Sequence, residues 1–306
     1  MSTAVVFAYH DVGVRCLSVL LGRGVDVPLV VTHADDPQET IWFESVAALA
    51  RRHGIPVVMP GSPKDPELAS RLAALRPDFV FSFYYRRMIP DSLLRTAGRG
   101  PFNMHGSLLP KYRGRSPVNW AIVNGETETG ATLHRMESRA DAGAIVGREP
   151  VPILPDDTAL DVFRKVTCAA ERVLDRTLPS LVDGTAVETP QVEAEATTFG
   201  GRKPADGKID WRGSAASVHN LVRAVAPPYP GAFTAFRGDT LFVHSTRLEA
   251  TTPERAKRLH LHGIGGACYA VCGDGRTVHL VEAARGGAPL DLAALAREIE
   301  GRPVPL

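Results

Sequence analysis

The run "FNMHGSLLPKYRGRSP", from Phe102 to Pro117, holds the residues best suited to chemistry. Asn103 and His105 stand two apart in it. If 101–105 is extended, period-two alternation sends both side chains to one face. They can then address one substrate atom from one side. Histidine moves a proton near neutral pH, and an asparagine amide can donate to a developing oxyanion. The pair suits addition of a nucleophile to a carbonyl and collapse of the tetrahedral species. Arg113 and Arg115 follow, with Lys111 before them. Ser116 fits an N-cap and Pro117 a first helical turn. A helix start beside Arg113 and Arg115 suits an anion such as phosphate or carboxylate; a solvated basic turn is the plainer alternative.

"TGATLHRMESRADAGAIV" (129–146) reads as strand, turn, strand, with Asp141 in the turn. Beside His105, that carboxylate would orient the ring and favour its charged form. Otherwise it stabilises its own turn. His134, on the first strand, reads as a packed histidine rather than a second catalyst.

These groups need a scaffold. Apolar runs at 4–9, 27–33, 55–60 and 78–85 alternate with helical patterns at 14–24, 40–54 and 65–77. Asp65 is a fitting N-cap for the last helix, with Pro66 at its first position. Such alternation predicts an α/β fold with a mostly parallel sheet covered by helices. Ligands of such sheets bind beyond the carboxyl ends of the strands. The longest helical pattern is 158–184. Residues 190–211 are rich in Thr, Gly, Pro and charge and read as a linker. A helix at 214–233 ends in prolines. Short strands and turns after it, including 234–250, predict a small all-β domain. The expected division is 1–189, linker 190–211 and 212–306.

Composition narrows the function. Of 306 residues, 44% are apolar and 23% charged, with net charge +1. That suits a two-domain globular protein and weakens any reading that needs a large RNA partner. No apolar run is long enough to span a bilayer, and no secretory signal opens the chain, so a cytoplasmic protein is expected. Cys268 and Cys272, with His260 and His262 nearby, resemble a metal pattern only partly. Buried thiols without metal are the better reading. The turn after the first strand, "YHDVGVR", lacks the G-x-G-x-x-G of a dinucleotide site.

Asn103-x-His105, then Ser107-Leu108-Leu109-Pro110, then Asp141 closely resemble the hallmark of the formyltransferases that use N10-formyltetrahydrofolate. Within that family, the stretches at 5–13, 81–89, 132–136 and 222–233 look most like the formyltransferase half of the bifunctional lipid A modifying enzyme ArnA. The resemblance covers essentially the whole chain. It implies a Rossmann-like catalytic domain and a smaller C-terminal OB-like β domain. It also implies N10-formyltetrahydrofolate as formyl donor, with no metal. The acceptor would be the 4-amino group of a nucleotide-linked sugar, UDP-4-amino-4-deoxy-L-arabinose first, in lipid A modification and polymyxin resistance. By resemblance, Asn103 stabilises the tetrahedral species, His105 is the acid/base and Asp141 tunes it. Arg87, Met88, Ile89, Arg115 and the turn Glu137, Ser138, Arg139, Ala140, Asp141 would line the folate site. Arg113 and Arg202 are candidates for the substrate's anionic groups. The rivals are a methionyl-tRNA formyltransferase, a formyltransferase for a dTDP-linked amino sugar, and a binding module that kept the fold. The acid-rich "HADDPQET" argues against tRNA, and no nucleic-acid partner is expected. No membrane insertion is expected either, and the sequence does not indicate an oligomeric state.

Overall fold

The computed structural model describes residues 1–249 and 259–306. The expected strand run 234–250 therefore ends on one residue outside that range, and the expected domain 212–306 includes 250–258, also outside it. The described chain divides into two compact units. The first holds Met1–Pro117, Glu128–Pro152 and Arg164–Gly200; the second holds Val118–Thr127, Ile153–Phe163 and Gly201–Leu306. Residues 190–200 of the expected linker thus count with the first unit, and 201–211 with the second.

Along the chain run β1 (Thr3–Ala8), α1 (His10–Gly22), β2 (Asp26–Val31), α2 (Val46–Arg52), β3 (Val57–Val58), α3 (Pro66–Leu75) and β4 (Phe79–Phe83). Then come α4 (Asp91–Leu94), β5 (Gly100–His105), β6 (Arg113–Gly114), α5 (Pro117–Val123), β7 (Glu128–Arg135), β8 (Ile145–Pro152), α6 (Ala159–Asp183) and β9 (Thr198–Phe199). The first unit's sheet has the order β3-β2-β1-β4-β5-β7-β8. Pairings from β3 to β5 are parallel, and those of β5 with β7 and β7 with β8 are antiparallel. Strand order reverses between β1 and β4, the position in such sheets beyond whose carboxyl ends ligands bind. All five residues of β4 are buried, as expected of a strand covered on both faces. Phe79, Phe81 and Phe83 stack along it at 5.4–5.6 Å.

Local signals explain the helix ends. Asp65 caps α3 by accepting from the Glu67 N–H, and Pro66 occupies its first turn. The expected helix 40–54 starts only at Val46, because Ser45 caps it by accepting from the Ala48 N–H. Trp42 and Phe43 lie before it and pack on His10 at 4.6 and 3.8 Å.

In the second unit, α7 (Ala215–Val225), capped by Ser214, precedes β10 (Ala232–Phe236), β11 (Asp239–Leu248), β12 (His260–Ile264), β13 (Ala267–Val271), β14 (Thr277–Arg285), β15 (Ala288–Pro289), α8 (Leu292–Ile299) and β16 (Val304–Pro305). The strands form an antiparallel sheet in the order β10-β11-β14-β13-β12-β16, with β15 on β14. Val218 and Val222 of α7 and Leu295 and Ile299 of α8 share its core with Leu241, Val243, Leu261 and Leu280. Cys268 and Cys272 are buried free thiols in this unit. Among the described residues no His/Cys/Asp/Glu group could hold a metal ion, and no helix is long and apolar enough to cross a membrane.

Candidate active site

Strand β5 ends at His105, on the sheet's carboxyl edge. The β5–β7 register sets Asn103 directly across from His134, and His105 across from Thr132. Directly opposed residues share a face, so four polar side chains meet there. The chain after β5 is held by Thr132. Its Oγ1 donates to Ser107 O at 2.6 Å and accepts from the Leu109 N–H at 3.2 Å. Ser107, fully buried, donates to Lys111 O at 2.6 Å. The Ser-Leu-Leu-Pro motif is therefore a hydrogen-bonded turn that brings Tyr112 and Gly114 back over the site.

Asp141 joins this cluster from the turn between β7 and β8. Its Oδ1 lies 3.5 Å from His105 Nδ1 and 3.4 Å from His134 Nε2. Its Oδ2 accepts from the Gly114 N–H at 2.8 Å. Gly114 has φ of 97°, and a Cβ there would lie 2.2 Å from Phe199 O, so only glycine fits. Burial alone would raise the Asp141 carboxyl. Opposite it, protonated His105 first, then protonated His134, and the Gly114 N–H outweigh burial and hold the group well below the usual carboxylate range. Asp141 is thus an anion inside the cluster.

The remaining bonds define the donors. His134, 1% exposed, is bonded through Nδ1 to Arg135 O at 2.7 Å. A carbonyl accepts, so Nδ1 carries a proton, and in the neutral ring Nε2 is left as an acceptor. Asn103 Nδ2 donates to that Nε2 at 3.1 Å and to Asp141 Oδ1 at 3.4 Å. The amide cannot be reversed without setting its oxygen against a carboxylate and a ring lone pair. His105 Nε2 donates to Tyr112 O at 2.7 Å. A proton on Nδ1 would turn its facing contact with Asp141 from repulsive to attractive.

The structure brings Asn103, His105 and Asp141 together, and it adds His134, which sequence reading set aside as packing. The signal was its place opposite Asn103, visible only once the register is known. Other expected site residues are placed differently. Arg113 is 4% exposed; its guanidinium donates to Gln191 Oε1 at 3.1 and 2.8 Å and to Glu193 at 3.0 Å. Ser116 has φ of 54°, not the extended backbone of an ordinary N-cap, and α5 has only seven residues. Arg115 is exposed, and its N–H donates to Phe199 O at 3.0 Å.

The stretches 87–89 and 137–141 are neighbours. Ser138 Oγ donates to Asp91 Oδ2 at 2.7 Å, and Met136 packs on the cluster that buries Ile89. Met88 is 63% exposed, and Arg87 donates to Pro60 O and Gly61 O. Glu137, Arg139 and Ala140 are exposed, with Arg139 paired to Glu193. In the second unit, the Arg202 guanidinium sits 4.6 Å over the Trp120 ring and donates to Asp206 O at 2.9 Å.

Residues 18–178 match the formyl transferase family, and residues 202–298 match the formyl transferase C-terminal domain. Solved structures share the fold. The N-formyltransferase from Helicobacter canadensis, in complex with folinic acid and dTDP-3-aminofucose, is 19% identical with a TM-score of 0.72; the match covers 92% of this chain and 99% of that one. The sugar 3N-formyl transferase WlaRD, solved in the presence of dTDP and 5-N-formyl-THF, is 20% identical with a TM-score of 0.73 over 94% and 98%. Methionyl-tRNA formyltransferase from Clostridium thermocellum is 15% identical with a TM-score of 0.56 over 81% and 94%.

Proposed function

The chain belongs to the formyl transferase family, and from that premise we propose that it moves a formyl group from N10-formyltetrahydrofolate to the amino group of a nucleotide-linked sugar. UDP-4-amino-4-deoxy-L-arabinose is the first candidate. The observation that carries this reading is the cluster in which half-buried Asn103 and Asp141 meet buried His105 at the end of β5. The sugar acceptor is supported by neighbours described as sugar N-formyltransferases, two of them solved with dTDP or a dTDP-sugar.

The donor would lie along 87–89 and 137–141. Exposed Met88 suits the face of a flat ring, and the Ser138–Asp91 bond keeps the two stretches side by side. When bound, this donor supplies the activated formyl group. The chain's own residues handle protons and charge. His105 takes the proton of the attacking amine at Nδ1, the nitrogen that faces Asp141. That proton satisfies Asp141 Oδ1 in place of Asn103. The 3.4 Å Asn103 bond, the longer of its two, then yields its N–H to the developing oxyanion. His105 returns the proton to the departing nitrogen. Arg202 is the candidate for the nucleotide's phosphates.

The test is a coupled assay with the formyl donor and a panel of amines: UDP-4-amino-4-deoxy-L-arabinose, dTDP-linked amino sugars and methionyl-tRNA. Formylation of a sugar nucleotide is expected. Preference for methionyl-tRNA would overturn the acceptor, and formylation of none would leave a binding module.

A further inference from the structure

The proposed chemistry requires Asp141 to hold one geometry, yet its turn has little to stiffen it from within. Residues 137–140 are exposed, and Asp141 has φ of 55°, in the left-handed region that L residues avoid. Fifty residues on in sequence, one side chain grips this turn at two points, Asp141 and Gly143. Gln191 Nε2 donates to Asp141 O at 2.8 Å and to Gly143 O at 2.7 Å. Its Oε1 accepts twice from buried Arg113, at 3.1 and 2.8 Å. Both amide N–H groups and both lone pairs are used, so the orientation is fixed: a flip would oppose donor to donor and acceptor to acceptor.

The strap that carries Gln191 also holds the other partners of the catalytic pair. Thr189 exchanges two backbone hydrogen bonds with Ile145 at 2.8 and 2.9 Å. Thr197 Oγ1 accepts from the Tyr112 N–H at 2.8 Å, and Thr197 O accepts from the Arg113 N–H at 2.8 Å. The Phe199 ring stacks on Tyr112 at 5.1 Å. Tyr112 supplies the carbonyl that holds His105, and Gly114, in the strand paired with β9, supplies the N–H that holds Asp141.

We infer that Gln191 is a positioning residue: mounted on the strap 189–199 and braced by Arg113, it fixes the Asp141 turn so that the carboxylate faces His105. The inference rests on the function proposed above.

Gln191→Glu separates positioning from support. It keeps the length and the Arg113 pair, but replaces the two N–H donors with an oxygen against two carbonyls. The expected result is a loss in kcat/KM on the order of 10- to 100-fold, the scale of a misplaced catalytic group. The pH-profile limb governed by the His105–Asp141 pair should shift. The Gly114 amide should exchange faster with solvent, while amides of β1 and β4 keep their protection. In an Asp141→Asn background, Gln191→Glu should cost nothing more, because the group it positions is gone. If that variant does not fold, Gln191→Met carries the same expectations. Wild-type kcat/KM and Gly114 protection in a folded variant, or an equal loss in both backgrounds, would overturn the inference. If Asp141→Asn is itself impaired, the site reading survives that result. Full activity of Asp141→Asn would remove both.

Discussion

Two clusters of imidazoles sit along one sheet edge in opposite surroundings. At the end of β5, His105 faces the Asp141 carboxylate. After β1 and β2, His10 and His33 sit among aromatic rings, His10 stacked on Phe43 at 3.8 Å and His33 on Tyr85 at 4.2 Å. In this second cluster a backbone donor occupies one ring nitrogen of each histidine. His10 Nδ1 accepts from the Asp11 N–H and His33 Nε2 from the Arg86 N–H, both at 3.0 Å. Burial, then Arg86, pushes His10 down to about 3. Burial, then Arg87 and Arg86, pushes His33 down to about 4. The Asp11 carboxylate lies 3.8 Å from His10 Nδ1, but that nitrogen accepts the Asp11 N–H and lacks the proton an ion pair needs. Histidine at this edge is thus assigned by its neighbours. We propose that the carboxylate partner suits His105 to carry a proton, whereas burial and nearby cations keep His10 and His33 neutral.

The comparison breaks if the proton-carrying cluster proves dispensable. His105→Ala is expected to lower kcat by about 10²–10⁴-fold, and Asn103→Ala by about 10²–10³-fold. Circular dichroism should show both variants folded. Full activity in either would end the assignment. A smaller loss, up to about 10²-fold, is expected when His134 is replaced by Leu, because Asn103 loses the acceptor that orients it. His134→Gln offers an oxygen in place of Nε2 and should recover part of that loss. Equal activity of the Leu and Gln variants would show that His134 only fills space.

The smallest effect is on stability and sharpens the contrast through pH. A free histidine titrates near 6.5, whereas His10 stays neutral to about 3. Between those values the unfolded chain binds more protons than the native one, so stability rises with pH by at most about 1.4 kcal/mol per unit for this group. Asn tolerates a positive φ like the 67° at His10. His10→Asn should therefore flatten the urea midpoint between pH 6 and 4 while kcat stays within a few-fold. Asp141 acts lower on the scale. Its contribution is whole above the ordinary carboxylate range near 4 and is lost as pH falls below it. An unchanged slope in His10→Asn would sink the reading of His10 as neutral.

Much of this was legible in residue order. The alternation of apolar runs with amphipathic stretches announced the parallel sheet, and Asp65-Pro66 announced a helix start that the structure keeps. Asn103 and His105 pointed to one face because side-chain alternation is a local property. The start of α2 was misplaced because Trp42 and Phe43 satisfy a helical apolar pattern yet pack on His10. Arg113 looked like a free cation because its partners, Gln191 and Glu193, are far along the chain.

The sequence by itself determined the elements, the family and the chemically able residues, since propensity, periodicity and motif spacing act over a few residues. Only the tertiary structure decided which of those residues meet. The β5–β7 register turned His134 from packing into Asn103's acceptor. Residues 190–199 of the expected linker return to Tyr112–Gly114, and from there Gln191 bonds the Asp141 carbonyl. Hydrogen bonds to backbone carbonyls ask only for a donor at the right point in space, so they leave no mark in the order of residues.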